Sequence, residues 1–156
     1  MSSPLNAATT PANFTLLWVI IVCFVLLQGL SIVLCQTLAT QIQQPIAQEQ
    51  VVLIRTLLYV LTIVLFPLTR LIRYSQVRLN QTMPGEKTAQ QRYFFTVLVS
   101  QVLISSVGLF GFILFIVGDT FNTLIIFSGL ALLGFFLYRP LQAEYDSIVA
   151  ALTHSD

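Results

Sequence analysis

Apolar residues gather in four long runs, at 14–35, 51–69, 93–118 and 120–139, separated by polar breaks. The first and third carry no charged side chain, the fourth is closed by Arg139, and the second holds one charge, Arg55. A helix needs about 20 apolar residues to cross about 30 Å of hydrocarbon, so each run predicts a transmembrane helix. Arg55 lies near the end of its run, where a long side chain reaches the interface while its stem stays in lipid. The runs do not alternate polar and apolar as barrel strands do. In lipid, backbone groups must find partners within the segment, which leaves helices. The expected fold class is all-α, an integral membrane four-helix bundle made of two helical hairpins. A tail at 1–13 precedes it, and a short amphipathic segment at 140–156 follows.

That segment shows a different period. Leu141, Tyr145, Ile148 and Leu152 recur at helical spacing, which predicts one packed face of a short C-terminal helix. Its acids, Glu144 and Asp146, favour packing under the bundle over binding anionic lipid. Pro45 is placed to open the second helix in its first turn, and Pro84-Gly85 marks a turn between the second and third. Pro67 sits inside the second run, where neighbouring helices tolerate a kink.

Composition agrees with the pattern. Only 8% of the residues are charged, against about 25% for a soluble domain. The net charge of +1 gives no argument for nucleic acid, but the distribution of charge is informative. Arg70, Arg73, Arg78, Lys87, Arg92 and Arg139 fall on one side of the predicted bundle, and only Arg55 falls on the other. The positive-inside rule then places the basic side and both termini in the cytoplasm, as a multi-pass protein of the inner (plasma) membrane. Residues 1–13 hold no Lys or Arg, and the run after them is too long for a signal peptide core. A small residue is needed where Leu34 stands in "IVLC", so a lipoprotein box is not expected either. The Asn13 and Asn80 glycosylation spellings face inward in this topology.

The two halves echo each other. "QGLSIVL" lies on "VGLFGFIL", matching Gly29 to Gly108, and "FPLTR" (66–70) lies on "FFLYR" (135–139). The order is that of a parallel repeat of hairpins, not an inverted one. With Trp18, Gly29-Leu30, "VGLFGFILF" (107–115), Asp119 and "FFLYRP" (135–140), the chain resembles a group of small four-span bacterial inner-membrane proteins. More remotely, the doubled hairpin is similar to the c subunits of rotary ATPases. Those require a carboxylate within a span, and none is present here. The resemblance therefore implies architecture, argues against ion translocation, and brings no activity with it.

Polar chemistry within the spans concentrates at "SQVLISSVGLFG" (100–111). Gln101, Ser105 and Gly108 share a helix face, with Gly111 close to it. Gln28, Gly29 and Ser31 offer a smaller version in the first span, and Ser128, Gly129 and Gly134 another in the fourth. Membrane helices associate through small residues and interhelical hydrogen bonds, so these positions predict a helix-packing seam; a polar pathway is the alternative. Arg55 either snorkels or pairs with Glu49 or Asp119. Cys23 and Cys35 are about three turns apart, too far for one disulfide, and are expected to be packed small residues. His154 stands alone near the end of the chain as a solvated group, and no residue set suggests a catalytic site, a cofactor or a metal. The expectation is a structural or accessory subunit, in contact with membrane lipid, with copies of itself or with a larger membrane complex. A small transporter or channel component acting as an oligomer is the alternative, and an enzyme is not expected.

Overall fold

The computed structural model describes residues 14–82 and 88–153. The N-terminal tail, the Pro84-Gly85 turn, Lys87 and His154 lie outside the described residues, as does the side chain of Leu152. Every regular element among the described residues is an α-helix: α1 (Phe14–Thr37), α2 (Ala39–Ile42), α3 (Gln48–Thr82), α4 (Ala89–Ile116), α5 (Phe121–Leu137) and α6 (Gln142–Thr153). By length and composition α1, α3 and α4 are long and apolar enough to cross a membrane. A fourth candidate is the pair α5–α6, bent by 44°. The bend follows from Pro140. The residue before a proline avoids helical angles, and proline donates no N–H.

Helix α3 has 35 residues and is about 50 Å long at 1.5 Å per residue. It outruns its apolar part and carries Arg70, Arg73, Tyr74 and Arg78 beyond it, passing Pro67 without interruption. Pro45 does not open α3, which begins at Gln48. Instead it lies in the irregular stretch 43–47 between α2 and α3, which opens with Gln43 in extended conformation. This segment crosses the end of α4, where Gln44 N donates to Ile116 O (2.7 Å) and Ile46 N to Val117 O (3.3 Å). Two carbonyls left open by the helix terminus are thereby satisfied. Gly118, at φ 98°, closes α4 in a left-handed cap. Asp119 N reaches Leu114 O and Gly118 N reaches Phe115 O. A Cβ at Gly118 would lie 2.9 Å from Pro45, so glycine is required twice over. At its other end α4 is capped by Thr88, whose hydroxyl accepts from Gln91 N.

Helix α4 is the central element and packs against α1, α3, α5 and α6. Helices α4 and α5 form a close hairpin, with Val107, Leu114, Phe127 and Ala131 fully buried between them and α3. The first hairpin is open: α1 seats on α4 and α5, while α3 packs against α4 and α6. The halves therefore echo in sequence and differ in packing. At the basic end a second cluster joins Leu17 of α1, Tyr93 and Val97 of α4, and Tyr145 and Ile148 of α6. Leu141, expected on the packed face of α6, precedes the helix and is 42% exposed. Cys35 is buried, whereas Cys23 is exposed among the apolar side chains of α1.

Candidate functional site: the polar seam and the basic end of the bundle

Within the apolar layer, Gln28 of α1 reaches over Gly108 of α4 and donates from Nε2 to Ser128 Oγ of α5 at 2.7 Å. A Cβ at Gly108 would collide with the Gln28 amide, so glycine makes room for a three-helix contact. Gly111 brings α4 against α5: a Cβ there would lie 2.7 Å from Phe127 Cβ and 3.2 Å from Leu124 O. Gly134 plays the same part from α5, against Ile104. The remaining seam positions lie elsewhere. Gly29 and Gly129 face open space. Ser105 is half-buried, and its hydroxyl donates to Val102 O of its own helix. Ser31 and Ser106 also bond carbonyls of their own helices. These serines line a groove of about 450 Å³ between α1 and α4, walled by Phe24, Leu27, Leu109 and Phe112.

Gln101 does not join Gln28. It is fully buried, and its Nε2 donates to Tyr138 O at 2.9 Å. The same carbonyl accepts from Arg73 Nη1 at 2.6 Å, and Arg73 Nη2 donates to Arg139 O at 2.9 Å. Two open carbonyls past α5 thus gain charged donors. The other edge of the Arg73 guanidinium grips both oxygens of Glu144 at 2.7–3.2 Å. Tyr93 Oη donates to Leu141 O and accepts from Leu141 N. Tyr138 Oη donates to Phe66 O of α3 at 2.7 Å. Nearby, Asn80 Nδ2 donates to Thr96 Oγ1, and Arg92 Nη1 donates to Asn80 O. Gln81 Nε2 donates to Ser147 Oγ. Four helices are tied at this end through side chains that periodicity alone did not single out. The spacing gives no signal for them: Arg73 lies three residues past Arg70, on a neighbouring face of the same helix.

At the far end Arg55 pairs with Asp119, Nη1 to Oδ1 at 3.5 Å, and not with Glu49. Asp119 Oδ1 accepts from Thr120 N, and its Oδ2 is buried without a partner. Gln43 Nε2 donates to Asp119 O. Gln101 Oε1 is likewise buried without a donor. Among the described residues no group of three or more His, Cys, Asp or Glu is placed to hold a metal.

No known family, curated protein or solved structure matches this chain. The hydrogen bonds described above run to neighbouring helices or to the side chain's own helix backbone, while Gln101 Oε1 and Asp119 Oδ2 are left without partners.

Proposed function

We propose that the chain is a non-catalytic four-span protein of the inner (plasma) membrane with both termini in the cytoplasm. In this reading it is a structural or accessory subunit that packs with copies of itself or with a larger membrane complex. The observation that carries the reading is uneven burial. The most apolar stretch of α4 is 44% buried, against 17% for those of α1 and α3. One helix therefore serves as a spine, and two flanking helices turn most of their surface outward. In lipid, apolar area alone drives little association, and close contact between helices decides it. Such flanks suit a protein whose neighbours complete its packing. The test is purification of the full chain in mild detergent, with light scattering and mass spectrometry. An assembly larger than the 17.4 kDa monomer, or a membrane partner at fixed stoichiometry, is expected. A monodisperse monomer that retains no partner would overturn the reading.

One observation favours a second reading, a small transporter or channel component acting as an oligomer. Gln101 Oε1 is fully enclosed and accepts no hydrogen bond, and polar groups kept inside membrane bundles are often functional. Vesicle leakage of the Gln101→Leu variant separates the two readings.

A further inference from the structure

We propose that Arg70 and Arg139 form a binding site for the phosphate of an anionic phospholipid at the basic end of the bundle. Helix α3 bears Arg70, Arg73 and Arg78 there, and the fold uses them differently: Arg78 lies over the Tyr74 ring of its own helix and donates to its hydroxyl. Arg73 is turned inward and committed to Glu144 and two carbonyls. Arg70 is exposed, as is Arg139 just beyond α5. Among the described residues neither has a carboxylate within 4.0 Å; the ion pairs there are Arg55–Asp119 and Arg73–Glu144. Glu144, the acid nearest this end of α5, is already neutralised by Arg73. The charge of the exposed pair therefore has no counterpart in the described protein.

The pair is also held in place. Tyr138 Oη bonds Phe66 O at 2.7 Å. Arg70 follows Phe66 by one turn of α3, and Arg139 follows Tyr138 directly, so one interhelical bond ties both positions together. The Arg139 guanidinium lies over the Phe136 ring, 4.7 Å from its centre. The echoed segments "FPLTR" and "FFLYR" thus end in two arginines at the same end of the bundle, one from each half.

Their surroundings indicate lipid as the source of the phosphate. Leu71, Phe136 and Leu137 beside them are each more than half exposed. Exposed apolar side chains and two exposed arginines thus occur together at this end, the pairing that acyl chain and headgroup require. Guanidinium forks fit phosphate oxygens bidentately. The proposal rests on the membrane reading above, but not on its orientation or its partner.

The test reconstitutes the full chain in vesicles of phosphatidylglycerol or of phosphatidylcholine, the same lipid in both leaflets. Flotation, thermal unfolding and lipid retained after detergent extraction are measured. The wild type should retain phosphatidylglycerol in preference to phosphatidylcholine. Each arginine near an anionic surface contributes roughly a five-fold preference. Arg70→Gln combined with Arg139→Gln should therefore lower the preference roughly thirty-fold, with thermal stability in phosphatidylcholine unchanged. Arg70→Lys with Arg139→Lys should keep most of it. Equal retention of both lipids by the wild type, or an undiminished preference in the double Gln variant, would overturn the proposal. So would a stability loss of that variant in phosphatidylcholine, which would assign the arginines to the fold. Failure of the wild type to float with vesicles would overturn the membrane reading along with the proposal, and is distinct from flotation without preference.

Discussion

A methyl group added at Gly111 would meet the Cβ of Phe127 and the backbone of Leu124, which move only if α5 moves. At Gly108 it would meet the Gln28 amide, the far end of a flexible side chain, and at Gly29 it would meet nothing. The three glycines look alike in the sequence, yet their expected responses to alanine differ. Gly111→Ala should cost about 1–3 kcal/mol, the usual range for overpacking. Gly108→Ala should cost about 0.6 kcal/mol, the average membrane hydrogen bond, because Gln28 swings away from Ser128. Gly29→Ala should be neutral or stabilising by up to about 1 kcal/mol, through helix propensity. Ser105→Ala should be nearly silent, since that hydroxyl bonds its own helix. Thermal unfolding in detergent checks the order; a larger loss at Gly29 or Ser105 than at Gly111 would contradict it. Gln101→Leu removes the bond to Tyr138 O together with a buried acceptor that has no donor. The two effects oppose each other, so stability should change little. Salt and proton leakage from reconstituted vesicles should not change either, and a changed leak with intact assembly would favour the transporter reading.

Helix α6 is held by one charged residue as well as by its apolar face. Tyr145 and Ile148 are buried against α1 and α4, but Glu144 joins the first turn of α6 to Arg73 on α3. Glu144→Ala leaves a buried guanidinium with only carbonyl partners. A hydrogen bond to a charged group contributes about 1.5–3 kcal/mol, and the partial exposure of Glu144 places this pair towards the lower figure. Amide exchange over 145–151 should accelerate in Glu144→Ala and stay unchanged in Asp146→Ala, where the side chain is exposed. Equal effects of both would mean that α6 is held by its apolar face alone. This helix was legible in the sequence because it has a wet side, so its apolar residues recur with a period. The apolar runs also mark where the long helices lie. Their neighbours were not legible, because a lipid-facing side is as apolar as a buried one and the period vanishes. Gln28 and Gly29 are adjacent in the chain; one makes the three-helix contact and the other faces outward, and no local pattern distinguishes them. Polar residues that cross-link distant elements, such as Arg73 and Tyr93, become visible only once the helices are assembled.

For the whole molecule, the way the bundle points follows from charge at insertion and not from contacts made after folding. Arg73 and Arg92 are buried in the finished structure and bonded within it. Orientation is set during insertion, when short loops cross or fail to cross the membrane according to their Lys and Arg content. At that stage a buried arginine counts as fully as an exposed one, so six of the seven basic residues act together. Arg55, alone at the other end, is paired with Asp119 after folding. The expected topology puts the connection between α1 and α3 outside and the overhang of α3 inside. Single cysteines at Gln44 and Thr82, both exposed, test it in a chain from which Cys23 and Cys35 have been removed. A membrane-impermeant maleimide should label Gln44→Cys in intact cells and Thr82→Cys only after the membrane is opened. The opposite pattern would invert the topology and move both termini outside. Labelling of both sites in intact cells would mean that the chain inserts in two orientations, so that the single basic end does not govern insertion as the charge count requires.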